Sequence, residues 1–141
     1  MLKITIYSVG KTKEPWLQEA IETYAKRLKS TLIIEWILAK TNLQLKQLVA
    51  KEPYFIAMDP AGKHYTSEEL SSFLMEKFEK HHSRICFVIG GAEGIPTKIK
   101  NRATHALSLS KLTFTHQITR LILIEQLYRA FEIARGSQYH K

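Results

Sequence analysis

Phe87-Val88-Ile89-Gly90-Gly91-Ala92-Glu93-Gly94-Ile95-Pro96 reads as the end of a strand, a glycine-rich turn and the start of a helix. Aromatic and β-branched residues suit the extended stretch. The glycines remove side chains that would hold a ligand away from the main chain, and amides at a helix start can point toward it. The turn is not a P-loop, because no Gly-Lys-Ser or Gly-Lys-Thr follows. Nor is it a dinucleotide fingerprint: the first glycine of that pattern is missing, as is the acidic residue expected about 20 positions on. Alone, the segment fits a plain tight turn as well as it fits a ligand loop.

A second junction of the same kind is Leu107-Ser108-Leu109-Ser110-Lys111-Leu112-Thr113-Phe114-Thr115-His116. Consecutive strands tend to be neighbours, so the two junctions are expected to form one cleft at the strands' carboxyl ends. Met58-Asp59-Pro60-Ala61-Gly62 would be a third wall. Met58, Ile89, Leu109 and Leu112 would give it an apolar lining beside free main-chain groups, which suits an adenine with its ribose better than a triphosphate.

Outward from these loops, strands and helices alternate, which predicts an α/β fold with a mostly parallel sheet and flanking helices. Leu2–Val9 alternates as a strand that Gly10 ends, and Pro15 opens a helix whose apolar positions include Trp16, Ala20, Ile21, Tyr24 and Leu28. Leu32–Leu38 is so uniformly apolar that burial on both faces is expected. A short helix carrying Leu43, Leu45 and Leu48 follows, then a strand over Pro53–Met58 and a type I turn at Asp59–Gly62. Thr66-Ser67-Glu68-Glu69 has the form of a capping box ahead of a helix with Leu70, Phe73, Leu74 and Phe78 on its buried stripe. Further strands are expected over Arg84–Ile89 and Thr104–Leu109, with a short helix from Pro96 between them. A long helix from His116 to about Arg135 is stopped by Gly136. Its apolar residues cover more than one face, and a symmetric dimer would cover the surplus.

The chain has 141 residues, 45% of them apolar and 24% charged, which matches one globular domain over residues 1–141. One cysteine, Cys86, excludes a disulfide framework and suits a reducing, cytoplasmic setting; its apolar strand marks it as a core residue. No apolar run approaches the roughly 18–20 residues of a membrane span, so no membrane partner is expected. The histidines have no ligand spacing with acids or with Cys86, so no metal is expected, and His81-His82 are placed at a helix C-terminus. The net charge is +8, and Gly94–Ile124 contains no acidic residue while holding Lys98, Lys100, Arg102, Lys111 and Arg120. An acid-free stretch of that length points to a polyanion such as nucleic acid.

The last feature is Glu125-Gln126-Leu127-Tyr128-Arg129-Ala130 with the ending Tyr139-His140-Lys141. Glu125 and Arg129 stand four apart, so an intrahelical ion pair is the plain reading. An apolar, interface-facing helix is a costly place for two charges, which favours a role for them.

Together, the Phe-Val-Ile-Gly-Gly-Ala-Glu-Gly turn, the Leu-Ser-Leu-Ser-Lys-Leu-Thr-Phe-Thr-His-Gln run, the Glu-Gln-Leu-Tyr-Arg-Ala helix and the Tyr-His ending resemble the RlmH family. These are SPOUT-class methyltransferases of bacteria that methylate N3 of a pseudouridine in 23S ribosomal RNA. The resemblance spans essentially the whole chain. It implies a C-terminal trefoil knot, a homodimer, and S-adenosyl-L-methionine as methyl donor. Position by position, it places the cofactor at Met58, Gly90, Leu109, Ser110, Lys111, Leu112, Thr113 and Phe114. On the RNA side it places Arg129, Tyr139 and His140. The weakly acidic N3 proton calls for a base, for which His140 is the candidate; Tyr139 would stack on the ring or steer it, and Arg129 would hold a phosphate or the ring carbonyls. The RNA partner would be 23S rRNA in the large subunit or the assembled ribosome. Two departures stand out: Gln138 replaces the family's usual proline, and the stretch between Leu38 and Pro53 is short. The competing readings are an RNA- or ribosome-binding module without catalysis and a nucleotide-dependent oxidoreductase; the missing fingerprint argues against the latter.

Overall fold

A computed structural model describes residues 1–80 and 83–141; the His81-His82 pair lies outside the described residues. The elements are β1 (Leu2–Val9), α1 (Pro15–Leu28), β2 (Leu32–Ala39), α2 (Asn42–Val49), β3 (Ile56–His64), α3 (Ser67–Lys80), β4 (Arg84–Val88), α4 (Thr97–Lys100), β5 (His105–Ser108) and α5 (His116–Ala134). Every strand pair is parallel, in the order β2-β1-β4-β3-β5. Parallel neighbours need helical crossovers, and the helices cover both sheet faces. On one face α1, α3 and α5 bury Leu17, Ile21, Leu70, Leu74, Leu123 and Leu127 against Ile4, Ile6, Ile85 and Phe87. On the other, α2 and α4 bury Leu45, Val49 and Ile99 against Tyr7, Phe55 and Val88.

Local signals hold where they depend on near neighbours. Thr66 Oγ1 accepts from the Glu69 amide at 3.1 Å, and Glu69 Oε1 accepts from the Thr66 amide at 2.8 Å, which is the expected capping box. Gly136 follows α5 at φ +73°. Cys86 is buried, its thiol donating to Glu52 Oε2, and burial first and Glu52 second push its pKa up to about 12. It is an inert core thiol.

Strand order overturns other expectations. β2 is not buried on both faces: it is an edge strand, with Ile33 49% and Leu38 40% exposed. Trp16 and Leu43 also face outward, their places in the core taken by Leu17 and by Val49. The strand expected over Pro53–Met58 starts at Ile56 and does not end at a turn. Instead Met58 and Lys63 both face Leu107 of β5, so Asp59–Gly62 loops out and the chain rejoins the same neighbour. The Ala61 amide donates to Asp59 Oδ1 at 3.0 Å, closing the loop. Gly62 is required there, because a Cβ would lie 2.6 Å from the Ala106 carbonyl. Finally, β4 and β5 are not neighbours, since β3 lies between them.

Arg120 corrects the charge reading. It is fully buried rather than part of a basic surface. Its guanidinium donates to Ser8 Oγ (2.9 Å), Thr12 Oγ1 (2.9 Å), the Val9 carbonyl (2.7 Å) and the Gly10 carbonyl (2.6 Å). Burial lowers its pKa, but an arginine stays charged, and carbonyl dipoles rather than a carboxylate balance it. The clamp joins the first turns of α5 to the loop after β1. Arg120→Met leaves the buried Ser8 hydroxyl and the half-buried Val9, Gly10 and Thr12 oxygens without their donor, so urea unfolding should show a loss of about 3 kcal/mol. Unchanged stability would contradict the clamp.

Candidate active site

At the carboxyl edge of the sheet lies a cavity of about 730 Å³. The bulge within β3 and the loops after β4 and β5 form it, so the expected cleft exists although β4 and β5 are separated. The looped-out Asp59 and Pro60 are the middle wall, and Met58, Ile89, Leu109 and Leu112 all line it, as do Gly90, Ser110, Thr113 and Phe114. Lys111, the remaining candidate in the β5–α5 loop, does not line it.

The glycine loop owes its shape to self-contact. A Cβ on Gly90 would collide with the backbone of Gly94 and Ile95. The Gly94 amide donates to the Gly91 carbonyl at 2.9 Å, and Gly94 has φ +85°, which favours glycine. The Gly91 amide donates to Asn42 Oδ1 at 3.3 Å, tying the loop to α2. Opposite, Ser108 Oγ donates to the Ser110 carbonyl (2.9 Å), and Ser110 Oγ accepts from the Leu112 amide (2.9 Å). These serines hold the loop while Leu112 stays 72% exposed.

Sequence reasoning missed several wall residues: Lys100, His116, Gln117 and Thr119 also face the cavity. Lys100 Nζ pairs with Asp59 Oδ2 at 2.8 Å. Burial raises the Asp59 pKa, but Lys100 and the Ala61 amide outweigh it, so the carboxylate is ionised at neutral pH. His116 is held below its usual pKa by burial, then by Arg120 and Lys13, and is neutral. Gln117 bonds the Lys11 carbonyl (2.9 Å) and the Lys13 amide (3.2 Å), closing the end of the cleft beside the Arg120 clamp. Only contacts with residues far away in sequence could have marked these positions. Among the described residues, no three His, Cys, Asp or Glu side chains gather as a metal site.

The second cluster is the C-terminal tail on α5. Arg129 pairs with Glu125 (Nη2–Oε2 2.8 Å), and the Tyr139 hydroxyl donates to the same Oε2 at 2.7 Å. The Tyr139 ring stands edge-on to Tyr128 at 4.7 Å, with the Arg129 guanidinium 4.9 Å from its centre. Burial and Glu125 raise the Tyr139 pKa, so the phenol stays protonated. Arg129 Nη1 lies 3.0 Å from His140 Nδ1, and His140 Nε2 lies 3.3 Å from Glu68 Oε1. An arginine N–H can only donate, so Nδ1 accepts and the imidazole proton sits on Nε2, facing Glu68. Arg129, Tyr139 and His140 are therefore brought together as expected, but not to the cleft. From His116 to Arg129 the helix rises about 20 Å at 1.5 Å per residue.

Comparison with known proteins places this architecture. A family model described as a predicted SPOUT methyltransferase matches residues 2–140. This chain belongs to the SPOUT methyltransferase family. Within that family, a Protochlamydia amoebophila (strain UWE25) protein named ribosomal RNA large subunit methyltransferase H is 54% identical, all of both chains being covered. A protein of the same name from Prochlorococcus marinus (strain NATL2A) is 42% identical over all of this chain and 99% of its own. Among solved structures, a putative methyltransferase of Legionella pneumophila, in complex with bound cofactor SAM, aligns with TM-score 0.51 and 15% identity over 92% of this chain and 66% of that one. A probable methylase family protein of Haemophilus influenzae aligns with TM-score 0.55 and 11% identity, covering 99% and 70%. At these identities the structural likeness speaks for the SPOUT fold alone.

Glu125 is the tail's anchor: burial raises its pKa, but Arg129 and Tyr139 outweigh that, and the net shift is downward. Anchoring is therefore complete above the ordinary carboxylate pKa and is lost as pH falls through the lowered folded value. Glu125→Gln should speed amide exchange of the segment 137–141 about tenfold at neutral pH, as expected on losing hydrogen bonds to a charged group. An unchanged rate would contradict the anchoring.

Proposed function

We propose that the protein transfers a methyl group from S-adenosyl-L-methionine to N3 of a pseudouridine in bacterial 23S ribosomal RNA, acting in the cytoplasm as a homodimer of one knotted domain over residues 1–141. The single observation that carries the reading is the cleft itself: three loops with an apolar lining and main-chain walls, in a chain 54% identical to a named rRNA large subunit methyltransferase.

The cleft fits the adenosyl part of that donor. Met58, Ile89, Leu109 and Leu112 give an adenine apolar walls, and Gly90 keeps side chains off the approach to the main chain. The donor, when bound, supplies an electrophilic methyl on a sulfonium. Met58, Gly90, Leu109, Ser110, Leu112, Thr113 and Phe114 would hold it, Lys111 belonging to the same loop without lining the cavity. Most of the acceleration comes from orientation, because attack by the ring nitrogen must be in line.

The N3 proton has to leave, and His140 takes it as general base. Its neutral Nε2–H tautomer is the form required, and its Nδ1 lone pair becomes free when Arg129 turns to a substrate phosphate or ring carbonyl. Tyr139, protonated and packed on Tyr128, steers the ring. Because His140 packs beside Arg129, about 20 Å along α5 from His116 in its own chain's cleft, a second copy brings its tail there. Half-buried Ile118, Leu121 and Ile122 on α5 are the apolar surface for that contact.

Deleting the gene should leave the corresponding 23S nucleotide unmethylated in mass spectra of rRNA, and an unchanged modification would end the reading. Co-expressing Gly90→Trp with His140→Ala should restore roughly a quarter of wild-type activity, since half of random dimers are mixed and each holds one intact site. Absence of rescue would assign each site to a single chain.

A further inference from the structure

The fold separates charge by layer. Of the thirteen acidic residues, eight stand on α1, α3 and α5, and none stands on α2 or α4. Two acid-free stretches, 36–51 and 94–124, supply α2 and α4, which pack side by side on the sheet face opposite the long helices. Of the acids that flank this layer in sequence, Glu52 pairs with Arg84 (2.8 Å) and Asp59 with Lys100 (2.8 Å), while Glu93 of the glycine loop is exposed on the cleft side. Arg102 is also committed, donating to the Glu52 carbonyl at 2.9 Å and to the Val49 and Ala50 carbonyls at the end of α2. It holds the segment after α4 against the end of α2, so the arrangement is built rather than incidental.

Lys40, Lys46, Lys51 and Lys98 remain, none with an ion-pair partner among the described residues. Lys46 on α2 and Lys98 on α4 stand close enough that Lys98 lowers the Lys46 pKa, although Lys98 is exposed and Lys46 only half-buried. Two like charges brought together without an acid between them favour an anion there. The layer also adjoins the cleft. Asn42 at the start of α2 holds the Gly91 amide, the glycine loop runs directly into α4, and Lys100 lines the cavity.

We propose that the α2–α4 layer is the surface along which the phosphodiester backbone of structured RNA lies, with Lys46 and Lys98 gripping it beside the cleft. This rests on the rRNA reading above and adds where the RNA runs. Arg120 contributes nothing to it, being buried, and the long-helix face is left to the second copy and the tail.

The test is binding of the full chain to 23S rRNA transcribed in vitro, across salt from about 50 to about 200 mM. It compares wild type, Lys46→Gln/Lys98→Gln, and Lys26→Gln/Lys29→Gln as a control on the opposite layer. Each phosphate that a variant no longer neutralises should reduce the log–log salt slope by about 0.7–0.9. Over that range wild type should therefore lose about tenfold more affinity than the Lys46/Lys98 variant, while the control follows wild type. Calorimetry with S-adenosyl-L-methionine should give the same affinity for all three proteins, showing that the folds are intact. A wild-type slope in the Lys46/Lys98 variant, or a reduced slope in the control alone, would overturn the surface while leaving the rRNA reading standing. A wild-type protein that takes up the methyl donor but no rRNA would defeat that reading and the surface with it. Binding of wild type to phosphatidylserine vesicles, with an unaltered RNA slope in the variant, would overturn the proposal in favour of a lipid contact.

Discussion

A buried guanidinium without a carboxylate holds the two ends of this chain together. Arg120 reaches from α5 to the main chain at the end of β1 and satisfies two carbonyls and two hydroxyls there. The β5–α5 loop can be irregular, exposed and shaped for a ligand because the helix that follows it is fixed. Gln117, three residues earlier, fastens the same turn to Lys11 and Lys13. Loops that bind small molecules gain precision from a rigid scaffold, and here the scaffold is a helix start fastened to the interior strand β1.

The same packing divides labour between the sheet's faces. The three-helix face carries most of the acids, the tail cluster and the surplus apolar surface of α5, which suits protein–protein contact. The two-helix face carries lysines with no ion-pair partner among the described residues, and no helical acid. The cleft sits at the edge where the faces meet, so methyl donor, nucleic acid and a second copy could each approach it from a different side.

Much of this is legible in the sequence because it is local. The capping box at Thr66–Glu69, the stop at Gly136 and the two strand-loop-helix junctions depend on residues a few positions apart. The illegible parts depend on strand order. Uniform apolarity in Leu32–Leu38 suggests two buried faces, but β2 ends at the sheet's edge, and no local pattern tells an edge from a centre. Pro60 and Gly62 suggest a turn that ends the strand, yet the chain bulges there and rejoins β5, where a glycine fits against Ala106. Arg120 looks like surface charge, since its acceptors lie more than a hundred residues earlier. The tail residues are recognisable as a group, whereas their distance from the cleft is set by the rise of one long helix.

The central claim is that the glycine turn and the Leu109–Phe114 run close on the methyl donor, and calorimetric titration with S-adenosyl-L-methionine tests it most directly. Wild type should release or take up heat with one site per chain, and Gly90→Ala, whose Cβ collides with Gly94 and Ile95, should bind at least tenfold more weakly as the loop shifts. Equal affinity in the two proteins, or no heat from folded wild type, would contradict it.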